Sequence, residues 1–355
     1  MIALDVSSAV GPPPHGGIGG ATRRLAEALA RVDPGTRYLL AVRLSRWRRG
    51  GLLRLGAPNA RPRLLVDPWN GLLLHGARLL HALSTSLPRT PRIPKLVTLW
   101  DVNPLRNPHW VTPHWQARRG ARLREVAARA DLVVATSRHA AGEIEALLGI
   151  PSSRIRVVPL GVDTRRFHPP PPDACRALRA RLGDFVLAVG LLAPRKNLTR
   201  LVEAVARVPS LRLVVVGRAG HGAADFFDAV ARTGMADRIT HRVRVAEEEL
   251  VALLGAARVV AVPSLYEGFG LTVLEAMACG TPVVCSNASS LPEVAGDAAL
   301  LLDATDVEAL ADGLRCVLAS SEIAETLRAR GLARASAWSW EAAARALRSL
   351  YGELL

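Results

Sequence analysis

Lysine is nearly missing from this sequence. Of 46 basic residues only two are lysine, Lys95 and Lys196, which leaves 44 arginines. Aromatic residues make up 4% of the 355, and no helix-turn-helix, zinc-finger or RNA-binding signature appears, so nucleic acid is not an expected partner. The four cysteines, Cys175, Cys279, Cys285 and Cys316, show no C-x-x-C spacing and no histidine in zinc-like register. They argue for no metal site and are expected to be small buried thiols in a reducing compartment. No uninterrupted apolar run reaches about 18 residues, so no membrane-spanning helix is expected. The start, MIALDVSSAV, places Asp5 where a secretion signal needs apolar residues, and no basic segment precedes it. A cytoplasmic location is the expectation.

Half of the residues are hydrophobic and 22% are charged, the balance of a globular chain whose length suits two domains. Charge is divided unevenly. Residues 1–165 carry 24 arginines and one lysine against 10 acids, a net of +15, whereas residues 166–355 carry 21 basic and 21 acidic residues. The excess in the first half is either a solvated arginine-rich surface or an attraction to something anionic. A lipid-linked phosphate and the inner face of an anionic membrane are the candidates, the latter as a peripheral contact.

Short apolar, β-rich runs alternate with helical patterns. IALDV, RYLLAV, PKLVTLW, DLVVATS and RIRVVPL read as strands of a first unit, and FVLAVG, RLVVVG, RVVAVPS and TPVVCS as strands of a second. Fully apolar strands between helices predict parallel, doubly wound sheets. The run FHPPPPDA, from Phe167, continues neither element and reads as a linker. Two Rossmann-like domains are therefore expected, with ligand at the carboxyl ends of the strands. The boundaries are 1–166, a linker at 167–184, 185–335, and a final amphipathic helix at 336–355. WNGLLLHGARLLHALSTSL, from Trp69 to Leu87, is expected to form a core helix, or else an apolar face for a membrane.

Three strand-to-helix turns carry chemistry. Gly16, Gly17, Gly19 and Gly20 follow the first strand and free the backbone to approach a phosphate at a helix N-terminus. The spacing is not G-x-G-x-x-G, and a dinucleotide site is disfavoured. In VGLLAPRKNLTRL, Arg195 and Lys196 lie in a loop at a strand's carboxyl end, where two cations suit a diphosphate. In a chain so committed to arginine, Lys196 points to a need for a compact ammonium. Asn197 is placed to cap the helix that follows. In YEGFGLTVLEAMACGTPVV, Glu267 precedes a helix and Glu275 lies within it, with Gly280 and Pro282 closing it. Eight residues on a helix separate two groups by about 80° and about 12 Å, so these carboxylates do not face one bond as an acid/base pair. Thr272-x-x-Glu275 also fits a capping box, which needs no ligand.

These residues carry a resemblance. PSLYEGFGLTVLEAMACGTPVVCSNASSLPEVAGDAALLLD resembles the E-x7-E region of retaining GT-B glycosyltransferases of glycosyltransferase family 4. VPLGVDTRRFHP, VGLLAPRKNL, EEELVALLGAA and SWEAAARALRSLYGEL fall in the family's order, so the likeness covers nearly the whole chain. The PRKN variant resembles the mannosyltransferase-like branch, which often uses GDP-mannose. The resemblance implies an α/β protein of GT-B fold, with two facing Rossmann-like domains and a C-terminal helix crossing back to the first. It implies a nucleotide-diphosphate sugar as donor, a glycan or lipid-linked acceptor, no metal and no resident cofactor, and transfer with retention of configuration. Arg195 and Lys196 would lie on the diphosphate, Glu267 beside the donor sugar and Glu275 on the ribose. The amides of Phe269, Gly270 and Leu271 would hold sugar hydroxyls or phosphate, Gly16 and Gly17 would close over the β-phosphate, and Asp101 would meet a sugar hydroxyl.

Three positions depart from the family pattern. Leu191 stands where many members have arginine, Thr272 where many have proline, and Trp100 where a histidine commonly lines the donor-sugar pocket. Trp100 either stacks on a sugar or fills a wall. The alternatives are another sugar-nucleotide enzyme of the same architecture, such as a disaccharide synthase, and a catalytically degenerate sugar-nucleotide-binding protein.

Overall fold

The computed structural model describes residues 1–10, 17–67, 69–84, 87–90 and 93–355. The chain forms two compact units. One comprises residues 1–108, 113–161 and 339–355, and the other residues 109–112 and 162–338.

The first unit holds a seven-stranded sheet. Its strands are β1 (Ile2–Asp5), β2 (Tyr38–Arg43), β3 (Ala60–Leu65), β4 (Leu79–Ala82), β5 (Lys95–Leu99), β6 (Leu132–Ala135) and β7 (Ile155–Val157). All pairings are parallel, in the order β3-β2-β1-β4-β5-β6-β7. The chain winds outward from β1 to β3 and then outward again from β4, so loops on either side of the β1/β4 junction diverge. β1, β4 and β6 are buried along their whole length, as strands covered on both faces must be.

The stretch 69–87 is not one helix. It contains a short turn of helix at Asn70–Leu73 and then the buried strand β4. Apolar runs of this length do not distinguish helix from strand by periodicity; a slot between β1 and β5 decides for strand.

The last helix, Trp340–Leu354, belongs to the first unit. Ser339 caps it by accepting from the Ala342 amide at 3.1 Å, and Trp340, Ala344, Leu347 and Tyr351 form its buried face. Gly161 makes the seat possible, since a Cβ there would lie 2.2 Å from the Ser339 carbonyl carbon. Tyr351 Oη and Thr98 Oγ1 each lie 2.8 Å from a ring nitrogen of His81. Burial drives the His81 pKa down to about 3, so this fully enclosed imidazole is neutral.

The second unit holds β8 (Phe185–Val189), β9 (Arg212–Val216), β10 (Ile239–Arg242), β11 (Val259–Val262), β12 (Val283–Ser286) and β13 (Leu300–Leu302). They form a parallel sheet in the order β10-β9-β8-β11-β12-β13. Winding reverses between β8 and β11.

Residues 167–184, read as a linker, contain the helix Pro172–Leu182. A proline at the first helical position has no intrahelical partner to lose, so the proline run starts an element instead of merely joining two. Three cysteines are buried as expected, but Cys316 is exposed.

Candidate functional site

The switch point of the second sheet puts the loop after β8 beside the loop after β11, where doubly wound sheets bind ligands. The first loop carries Pro194, Arg195 and Lys196 in a single 3-10 turn. The second carries Glu267. Lys196 Nζ donates to Glu267 Oε1 at 2.6 Å, and Arg195 Nη1 donates to Glu267 Oε2 at 3.0 Å. Side-chain exposure is 12% for both Lys196 and Glu267 and 31% for Arg195. One carboxylate thus holds two cations, one on each oxygen.

The electrostatics follow from this geometry. Burial alone would raise the Glu267 pKa, but the charges of Lys196 and Arg195 and the hydrogen bonds from Lys196 and Ser264 outweigh it and bring it down to about 2. Burial lowers the Lys196 pKa, against the opposing pull of Glu267 and, more weakly, of Glu275. Glu275 therefore lies within Coulomb reach of the same ammonium. A carboxyl held that low is a poor proton acceptor near neutral pH, and Glu267 serves here as a fixed counter-charge.

Several residues build this loop pair. Lys196 reaches Glu267 across the face of Gly190, where a Cβ would lie 2.7 Å from Lys196 Cε and 3.2 Å from Nζ. Gly190 has φ +151, a region that side-chain-bearing residues rarely enter. Asn197 occupies the N-cap position of the helix Leu198–Ala206 but its side chain does not cap it. With φ +54, it instead donates from Nδ2 to the carbonyls of Pro263, at 3.1 Å, and Ala304, at 2.6 Å. That side chain bolts the cationic loop to the loop after β11. The Ser290 hydroxyl lies 2.8 Å from the Glu267 carbonyl oxygen and 2.7 Å from that of Phe269, and Ser289 Oγ accepts from the Glu267 amide at 2.9 Å. None of Gly190, Asn197, Ser289 and Ser290 was picked out in the sequence for these roles. The small-polar run NASS after β12 was the available signal for the serines.

The helix Leu271–Ala278 starts on Gly270, with φ +114 and no side-chain cap bond. Thr272 is inside the helix, so the capping-box reading of Thr272 and Glu275 is overturned, and Glu275 sits half-buried in the second turn. A Cβ at Gly270 would meet Leu291 Cδ2 at 2.9 Å. The helix's first amides have no intrahelical acceptor, and Leu271 supplies one of them. Phe269 is buried, its ring 5.5 Å from that of Trp338.

In the first unit, Asp101 follows β5 and its Oδ1 accepts from the Asn103 amide at 3.0 Å. Gly17 opens the helix Gly17–Val32 and is exposed; Gly16 lies outside the described residues. Gly19 has a packing role, because a Cβ there would meet the Ser8 carbonyl oxygen at 2.8 Å. Trp100 is 5% exposed, with its indole N–H donated to the Leu83 carbonyl at 3.2 Å. It fills a wall of the first unit. Among the described residues no group of three or more His, Cys, Asp or Glu side chains is arranged to hold a metal, and no helix is long and apolar enough to cross a membrane.

Two parallel-sheet Rossmann-like units, the second with a two-cation loop at its switch point, define a protein of GT-B class. Residues 15–166 match the family described as Glycosyltransferase Family 4, and residues 181–334 match Glycosyl transferases group 1. The chain belongs to the GT4-type glycosyltransferases of GT-B fold. It is 36% identical over 228 residues to the O-antigen chain mannosyltransferase B of Escherichia coli, covering 62% of this chain and 60% of that one. It is 37% identical over 243 residues to a D-inositol 3-phosphate glycosyltransferase of Xylanimonas cellulosilytica, covering 64% and 58%. The chain thus spans about six tenths of the length of the curated relatives it matches. Among solved structures, sucrose-phosphate synthase from Thermosynechococcus elongatus superposes with a TM-score of 0.79 at 25% identity, covering 99% of this chain and 98% of that one. HepE of Anabaena, in complex with UDP-glucose, superposes at 0.75 and 20% identity over 99% of both chains.

Proposed function

We propose that this chain transfers a hexosyl group, with mannose the leading candidate, from a nucleotide-diphosphate sugar to a glycan or lipid-linked acceptor, with retention of configuration and without a metal. The observation that carries it is the clamp of Lys196 and Arg195 on Glu267 at the switch point. A nearly buried ammonium and a half-buried guanidinium held in place by one carboxylate form a preorganised seat for the diphosphate, where leaving-group charge develops. In this reading Glu267 keeps the cations ordered while the donor is absent and meets the donor sugar when it is present. Glu275 takes the ribose hydroxyls, and the amides of Phe269, Gly270 and Leu271 hold phosphate or sugar. The mannosyl choice draws on the Escherichia coli mannosyltransferase and on the Mycolicibacterium hassiacum MMP alpha-(1->4)-mannosyltransferase, 34% identical over 230 residues.

A second reading, a synthase joining a nucleotide-borne sugar to a small phosphosugar, draws on the similarity to sucrose-phosphate synthase. The test is a thermal-shift screen against GDP-, UDP-, ADP- and dTDP-sugars. A single nucleotide class should raise the wild-type Tm, Lys196→Ala should abolish the shift, and Glu275→Ala should weaken binding about tenfold, the worth of one charge-assisted contact. Absence of any nucleotide-dependent shift in wild type would sink the proposal. Product analysis with the productive donor separates glycan extension from disaccharide synthesis.

A further inference from the structure

The loop that carries Glu267 is loose by composition. Gly268 and Gly270 flank Phe269, Gly270 has φ +114, and the helix Leu271–Ala278 that follows has no side-chain cap. Glycine loses more conformational freedom on ordering than any other residue, so a fixed array of loop amides has to be held from outside. Residues 289–291 hold one side. Ser289 Oγ accepts the Glu267 amide, the Ser290 hydroxyl faces the carbonyls of Glu267 and Phe269, and Leu291 fills the space beside Gly270. An aromatic pair holds the other side. Phe269, the side chain between the two glycines, is buried, and its ring centre lies 5.5 Å from that of Trp338 at an interplanar angle of 53°.

Trp338 is itself fixed at three points. Its amide donates to the Ala335 carbonyl at 3.2 Å, and its carbonyl accepts from the Val162 amide at 3.0 Å. The Arg334 guanidinium stands 5.3 Å from the centre of its ring. That guanidinium also donates from Nε to the Val294 carbonyl at 2.9 Å and from Nη2 to the Glu293 carbonyl at 2.7 Å. Both carbonyls lie at the end of the short helix Leu291–Ala295, where carbonyls have no intrahelical donor. Gly296 leaves room for the arrangement: it has φ +56, and a Cβ there would lie 3.1 Å from Arg334 Cζ. The contacts close a ring within the second unit, from Phe269 through Ser290 and its helix to Arg334, Trp338 and back. Trp338 is only half-buried, so it adds less to the core than an enclosed ring does, and what it touches is the glycine-rich loop.

We propose that Trp338 is a positioning residue for sugar transfer: through Phe269 it holds the amides of Phe269, Gly270 and Leu271 in register with the Glu267 carboxylate. Arg334 sets the plane of Trp338, as a guanidinium over an indole does. For its chemistry this rests on the glycosyltransferase reading above; the anchoring is a property of the unliganded chain.

The test follows the full chain as wild type, Trp338→Ala and Trp338→Phe. Amide hydrogen exchange is measured without ligand, and turnover with the donor identified by the thermal-shift screen. In Trp338→Ala the peptide covering residues 267–273 should exchange about tenfold faster, the worth of one aromatic pair, while β8 and β11 keep wild-type protection. kcat should fall about tenfold and KM for the donor by far less, because preorganised amides act where charge develops. The nucleotide-induced Tm shift, which rests on Lys196, Arg195 and Glu275, should persist. Trp338→Phe keeps a ring against Phe269 and should recover most of both losses. Unchanged exchange in the loop, exchange raised equally in β8 and β11, or a loosened loop with wild-type kcat each overturns the proposal. Should Trp338→Ala lose its fold, Trp338→Leu and Phe269→Leu keep apolar volume without the ring. Each should give the same loop-specific exchange and kcat loss, and the double variant no more than either alone; additive losses overturn the pairing. Wild type that turns over no donor, while its loop still loosens in Trp338→Ala, strikes the glycosyltransferase reading and upholds the anchor.

Discussion

Each unit encloses a titratable group almost completely, and the two are handled in opposite ways. In the second unit Lys196 and Glu267 stay charged because each has the other, with Arg195 as a third member. In the first unit His81 is left neutral, bonded to two hydroxyls that carry no charge. Burial penalises the ionised form in both places; the partner decides the outcome. A buried neutral histidine holding a terminal helix is economical packing, since both ring nitrogens are satisfied at little electrostatic cost. A buried ion pair recovers its desolvation cost poorly, and its position at a sheet's switch point gives it a use that stability does not.

The largest effect is expected where a small change disturbs the charged member of this comparison. Gly190→Ala places a methyl 2.7 Å from Lys196 Cε and must displace the ammonium or the loop. Misplacing one preorganised cation should cost about 100-fold or more in turnover with the productive donor. The Tm should change far less than turnover does. Parallel losses of Tm and turnover would mean that Gly190 serves folding and that the clamp is only structural.

The neutral member predicts a smaller effect of a different kind. Tyr351→Phe removes the hydroxyl 2.8 Å from His81 Nδ1 and leaves a buried ring nitrogen unpartnered, at a cost of about 1–3 kcal/mol. Urea unfolding should show the loss, while the nucleotide-induced shift in Tm stays as in wild type. A variant as stable as wild type would show that the C-terminal helix is held by its apolar face alone.

How far the sequence revealed these features depends on where each is decided. Strands buried on both faces announced themselves, as IALDV and FVLAVG did. Three of the four strands that escaped notice, β3, β10 and β13, lie at sheet edges. β3 carries Pro62 and two arginines, which only an edge tolerates, and β10 and β13 are half-exposed along their length. The fourth, β4, was hidden by its own hydrophobicity. At the candidate site Arg195, Lys196 and Glu267 could be picked out from residue type and from the scarcity of lysine. Their mutual pairing could not, because it spans 71 residues of sequence. The role of Ser290 and the actual role of Asn197, which reads in sequence as a helix cap, were hidden for the same reason: their work is a hydrogen bond to a carbonyl from another turn. Thr272-x-x-Glu275 shows the converse, a local pattern that fits a capping box and is overruled by Gly270 starting the helix.

The smallest effect at any one pH step, and the sharpest division between the two members, lies in acid. Both folded-state pKa values are depressed, so both groups contribute stability that is complete above the unfolded value and lost as pH falls toward the folded one. For His81 the window runs from 6.5 down to about 3; for Glu267 it runs from 4.5 down to about 2. Between pH 6.5 and 4.5 only His81 contributes, with a slope of up to about 1.4 kcal/mol per pH unit. Unfolding free energies across that interval should fall less steeply in His81→Gln than in wild type, while Glu267→Gln should keep the wild-type slope there and flatten only below pH 4.5. If Glu267→Gln already flattens the curve between pH 6.5 and 4.5, the carboxylate is not held by its two cations, and the contrast between a charge-paired and a neutral buried group fails at its charged end.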